Sequence, residues 1–178
     1  MLQIQVPKYM TVTDSFDVIN SPGFTLKLEH SLLAISKWES RFKKPYLEQQ
    51  AFTYEEFIYY VECMTLNPLE LPEDAYGYLT IDNAKEIQSY IESYPSATTI
   101  KRNEDKKVGK KRMITSELLY AYMAQARIPY SAETWHIRRL LNVIEIISID
   151  NQPKKKVPKS ETLNKYRAMN RARRKPRR

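Results

Sequence analysis

The chain has 178 residues, 42% of them hydrophobic and 28% charged, enough for one ordinary domain or two small ones, and the balance speaks for a soluble protein. Its net charge is +8, but residues 151–178 alone carry +11 and the other 150 sum to −3, which excludes a uniformly basic DNA-binding domain. No run approaches the roughly 18–20 apolar residues of a spanning helix, no export signal is expected at Met1–Lys8, and the single Cys63 excludes an internal disulfide framework.

Leu2, Ile4 and Val6 alternate with Gln3 and Gln5, which predicts a short half-buried strand closed by Pro7. After the turn signal Asn20-Ser21-Pro22-Gly23, residues Phe24–Glu29 alternate again, so the two runs suit an antiparallel ribbon. Such a ribbon is marginal alone and needs helices or a partner against it. From Ser31, a candidate N-cap, the period lengthens through Leu32, Ile35, Trp38 or Glu39, and Phe42 until Lys43-Lys44-Pro45 stops the helix. Thr53-Tyr-Glu-Glu56 reads as a capping box before a helix with the stripe Tyr54, Phe57, Ile58, Val61 and Met64, ended by Asn67-Pro68. Tyr59 and Tyr60 fall partly off that stripe, so some tyrosine exposure is expected.

Pro72 opens a short helical piece through Tyr78, and Thr80 caps a helix with Ala84, Ile87 and Ile91 on one face, stopped by Pro95. Ser96–Arg112 has little apolar content and a local charge of +5, which predicts an exposed loop or a two-strand excursion. Helix returns near Ser116, with Leu118, Tyr122 and Met123 on one face, until Ile128-Pro129. Ser131 is the expected cap of a last core helix bearing Trp135, Leu140, Leu141, Ile144 and Ile147. Beyond Pro153 apolar residues thin out, and Ser160–Arg174 reads as a helix that frays in isolation. The expected fold is therefore mainly α: a compact bundle of about five helices, a small N-terminal β-ribbon (1–30), a helical core (31–150) and a basic C-terminal arm (151–178). Leu32, Ile35, Phe57, Val61, Ile87, Leu118, Leu140 and Ile144 are the expected core.

Motifs of catalysis are scarce. Cys63 sits beside Met64 on an apolar helix, the setting of a structural cysteine, and neither His30 nor His136 stands in a catalytic motif. Three glycines cannot assemble a phosphate cradle, and no zinc or calcium pattern occurs. No enzymatic activity, cofactor or metal is expected. The arm is the main electrostatic feature: Lys154, Lys155, Lys156, Arg171, Arg173, Arg174, Arg177 and Arg178 suit phosphate contacts or an acidic partner surface. Tyr166 is its only aromatic, which weakens a single-strand stacking role. Thirteen tyrosines, several of them in Tyr54–Tyr94, add a softer interface signal.

Leu28-Glu-His-Ser-Leu-Leu-Ala-Ile-Ser-Lys-Trp-Glu-Ser40 with Lys44-Pro-Tyr-Leu, then Glu62-Cys-Met-Thr65, Ala97-Thr-Thr99 and Trp135-His-Ile-Arg-Arg-Leu-Leu141, resemble the tail assembly chaperones of long-tailed bacteriophages. The resemblance covers most of residues 24–174. It implies a small helical, non-enzymatic helper in the host cell cytoplasm that binds the tape-measure protein and recruits tail-tube subunits, as an oligomer or part of an assembly. The basic arm departs from that pattern. It raises an alternative, a virion structural protein of the neck or tail whose arm contacts nucleic acid. Neither reading involves a membrane.

Overall fold

The computed structural model describes residues 1–12, 18–98, 113–151 and 159–173. Alternation places Ile4, Val6, Leu26 and Leu28 on the buried face of a two-stranded antiparallel ribbon, in which β1 (Leu2–Val12) pairs with β2 (Val18–Leu28). Leu2 stands opposite Leu28 and Met10 opposite Asn20. β1 does not end at Pro7 as its sequence predicts. Proline's φ suits an extended chain, and the Ser21 hydroxyl donates to the Pro7 carbonyl at 3.0 Å, so pairing continues beyond it. Gly23, at φ +76°, makes this possible: a Cβ there would lie 3.1 Å from the Lys8 nitrogen.

The outer edge of β2 is closed by the chain leaving the second helix. Leu66 N–H donates to the Lys27 carbonyl, and the Asn67 side chain accepts from Lys27 N–H and donates to the Thr25 carbonyl. A side-chain amide thus stands in for a third strand's backbone.

Helix starts follow local cap chemistry. α1 (Leu32–Phe42) begins at Ser31, whose hydroxyl accepts from Ala34 N–H, and ends at Lys43 in the left-handed region. α2 (Tyr54–Met64) carries the complete Thr53/Glu56 box, and α3 (Ile81–Glu92) a Thr80/Asn83 equivalent. α4 (Ser116–Gln125) is capped by Thr115 and buries Leu119 and Met123. Leu118, expected in the core, is only half-buried, because the face turned inward is one residue on.

α5 (Ile137–Asp150) starts later than its sequence predicts. Ser131 falls within a 3-10 turn, Tyr130–Thr134, and His136 takes the capping role: its Nδ1 accepts from Arg138 N–H at 3.3 Å. The first helical amide, of Ile137, is drawn instead to the His30 carbonyl at 2.7 Å.

α1 is the centre of the bundle, packed against α2 and α4, while α3 lies on β1. Leu32, Ile35, Val61, Ile87 and Leu140 are buried as expected, and Phe57 and Ile144 pack half-buried against them. Trp38 is also buried, its indole N–H donating to the Glu56 carbonyl at 3.0 Å. The chain forms two compact units, Met1–Ser148 and Ile149–Arg178, the second containing α6 (Lys159–Arg173). Residues 99–112, most of the expected excursion, lie outside the described residues. Among the described residues no helix is long and apolar enough to cross a membrane.

Candidate protein-docking groove

Pro45 turns the chain out of α1 into a 3-10 turn, Tyr46–Glu48. Glu39, buried on α1, fixes that turn by accepting from Tyr46 N–H at 2.8 Å; it also accepts from the Ser116 amide at 2.7 Å and hydroxyl at 2.5 Å. The Tyr46 ring consequently lies stacked on Tyr60 with centroids 4.1 Å apart. Phe52 tilts over Tyr46 at 5.0 Å and meets Trp38 edge-on at 5.5 Å. Aromatic stacking of this kind makes a stiff apolar floor.

Around that floor is a groove of about 470 Å³ between the 49–53 loop, the start of α2 and the second half of α3. Phe57 and Ile91 form its apolar walls, Gln49, Gln50, Gln88 and Glu92 its polar rim, and none of its lining residues is a Lys, Arg or His. Tyr54, counted from sequence as part of the buried stripe, is 76% exposed here, while Tyr60 is 1% exposed. The reason is geometric: α2 meets the body through Tyr60, Val61 and Met64, and its first turn projects beyond that contact. The lip is held by Glu56, which closes the capping box and accepts from Lys44 Nζ at 2.7 Å. That ammonium bond keeps its carboxyl below the usual range. A wide aromatic floor with an amide rim can seat the apolar face of a helix.

The two histidines, far apart in sequence, meet beneath this region. Ser31 and His136 form an isolated antiparallel bridge, and the two imidazoles lie edge to face with centroids 5.1 Å apart. His30 Nδ1 and the Tyr60 hydroxyl are hydrogen-bonded at 2.5 Å, and Tyr90 packs on His136 at 5.2 Å while donating to Glu29 at 2.6 Å. Burial first, then the cost of a second proton beside His136 and the Arg138 charge, pushes His30 down to about 3; burial also lowers His136. Both rings are therefore neutral at pH 7, and His136 Nε2 is buried with no close hydrogen-bond partner among the described residues. Their chemistry is that of packed core groups.

Cys63 is half-buried, and burial raises its pKa, so it is held as the thiol rather than the nucleophilic thiolate. Among the described residues no three His, Cys, Asp or Glu side chains are gathered to hold a metal.

The chain matches no family model, no curated protein and no solved structure.

The basic residues singled out from sequence fare unevenly. Arg171 is exposed on α6 and Arg173 closes that helix. Lys154, Lys155, Lys156, Arg174, Arg177 and Arg178 lie outside the described residues. The groove itself was missed at the sequence level. Its only forward signal is the aromatic density of Tyr46–Tyr60, which does not say which rings face inward.

Proposed function

We propose that the chain is a non-enzymatic tail assembly chaperone that seats an amphipathic helix of the tape-measure protein in the Tyr46/Phe52/Tyr54 groove and recruits tail-tube subunits. The observation that carries the reading is the large, exposed Tyr54 at the mouth of an aromatic groove whose rim is amide and carboxylate. Exposed tyrosine beside a preformed apolar floor supplies contact area at small entropic cost, the usual economy of a binding surface. The resemblance over residues 24–174 supplies the client: long tape-measure helices expose apolar faces that need cover before a tail tube encloses them.

Co-expression tests this. The chain should keep the tape-measure protein soluble, should copurify with it, and should be missing from finished particles. Tyr54→Glu should lose copurification while its thermal transition stays in place. A chain retained in particles, binding duplex DNA with a steep salt dependence, would replace this reading with that of a neck or tail structural protein using its basic arm.

A further inference from the structure

α6 raises a separate question, because a 15-residue helix of this composition is marginal in water without a surface to lie on. Its described side chains include three large apolar ones at successive helical turns, Leu163, Tyr166 and Met169, exposed by 52%, 62% and 51%. Helical spacing sets them in one stripe, with Arg167 and Arg171, four residues apart and both exposed, along one side of it. A helix built only to neutralise phosphates has no use for such a stripe. One that enters a protein groove does.

The groove on the first unit has the complementary character. Its floor is aromatic, its lining lacks any cation, and exposed Glu92 stands on its rim. The sequence outside the two basic runs sums to −8, whereas residues 151–178 carry +11. Apolar stripe faces apolar floor, and arginine faces carboxylate.

We infer that α6 of one copy docks in the Tyr46/Phe52/Tyr54 groove of a second copy, joining chains head to tail. The contact is heterologous: each copy offers one helix and one groove, so a closed pair is not required and short open runs of copies form. The inference rests on the reading of the groove as a helix site, and it adds a regulation. A client helix and a neighbour's α6 compete for the same floor, so self-association stores the chaperone and client binding releases it.

Complementation in the full chain, with no client present, tests the inference. Sedimentation across the micromolar range should give a concentration-dependent series of oligomers for the wild type, shortened by salt. Tyr54→Glu damages the groove, and Leu163→Glu/Tyr166→Glu damages the helix. Each alone should be a monomer, with self-association weakened at least about tenfold, while an equimolar mixture should form a one-to-one heterodimer and stop there. All three positions are exposed, so circular dichroism should match the wild type; Glu92→Lys, a milder rim change, should weaken association in the same direction. A wild type that stays monomeric, variants that assemble like the wild type, a mixture of folded variants that does not pair, or assembly that appears only when DNA is added would each overturn the inference. A monomeric wild type that still binds the client would overturn it while leaving the chaperone reading intact. An assembling wild type that ignores the client would do the reverse.

Discussion

Lowering the pH from 7.5 to 5 should destabilise the first compact unit by about 2 kcal/mol through His30 alone. In the unfolded chain this imidazole takes a proton near 6.5; in the fold its pKa is about 3. Because the folded value is the lower one, the stabilisation is complete above pH 6.5 and is lost as the pH falls, the loss reaching about 4 kcal/mol by pH 3. The groups facing the pair explain why no neighbour rescues the charge. Tyr46, Tyr60 and Tyr90 are all held neutral by burial, Arg138 repels, and Glu29 is engaged by the Met1 ammonium at 2.7 Å and by Tyr90. His136 adds to the loss in the same direction. Urea unfolding at pH 7.5, 6 and 5 reads the effect: with a slope of about 2 kcal/mol/M, the midpoint should fall by about 1 M. The ring signals in proton NMR should show His30 still neutral at pH 5. A His30→Gln/His136→Gln chain should lose this decline, since the carboxylates with lowered pKa values, Glu56 and Glu70, titrate below the window. A decline that persists in full in the double variant, or a wild type with flat stability from pH 7.5 to 5, would refute the argument.

Leu140→Ala, at a fully buried site on α5, should cost about 2–5 kcal/mol in chemical denaturation. Glu39→Ala strands the Tyr46 amide and the Ser116 amide and hydroxyl together, and should cost about 3 kcal/mol or more with the near-ultraviolet signal of the Tyr46 region altered. Gly23→Ala forces a side chain into the left-handed region against Lys8 and should lower stability by about 1–2 kcal/mol, measured by thermal melting. Maleimide labelling of Cys63 in the native chain should be slow at pH 7 and accelerate only toward alkaline pH, with the denatured chain labelled far faster.

What could be read from the sequence is what depends on neighbours within one turn. Ser31, Thr53 with Glu56, and Thr80 announce their helices because a cap is satisfied three residues away. The ribbon is equally local, since alternation alone separates Ile4 and Val6 from Gln3 and Gln5. Ser131 misleads for the complementary reason. It has the right chemistry for a cap, but the carbonyl that draws in α5's first amide belongs to His30, on the far side of the chain. Periodicity leaves open which of Tyr59 and Tyr60 turns inward and favours Leu118 over Leu119, because neighbouring residues compete for the inward face and tertiary packing decides between them. The groove needs the Tyr46–Tyr60 stretch and the second half of α3 brought together, so no local window of sequence contains it.

The bond between Ile137 N–H and the His30 carbonyl also sets a timetable. During synthesis the ribbon and α1 emerge first, yet the strip that binds the His30 carbonyl is made roughly a hundred residues later, about 5–20 s at ordinary elongation rates. Over that interval the buried cluster that holds Leu28, Leu32 and Ile35 lacks Ile137 and Leu140, and local helix formation cannot replace a closure of such long span. The nascent chain therefore leaves the ribosome as an open half-core that closes only when α5 arrives. A slow codon placed before residue 137 would lengthen its exposure, and one placed after residue 148 would not.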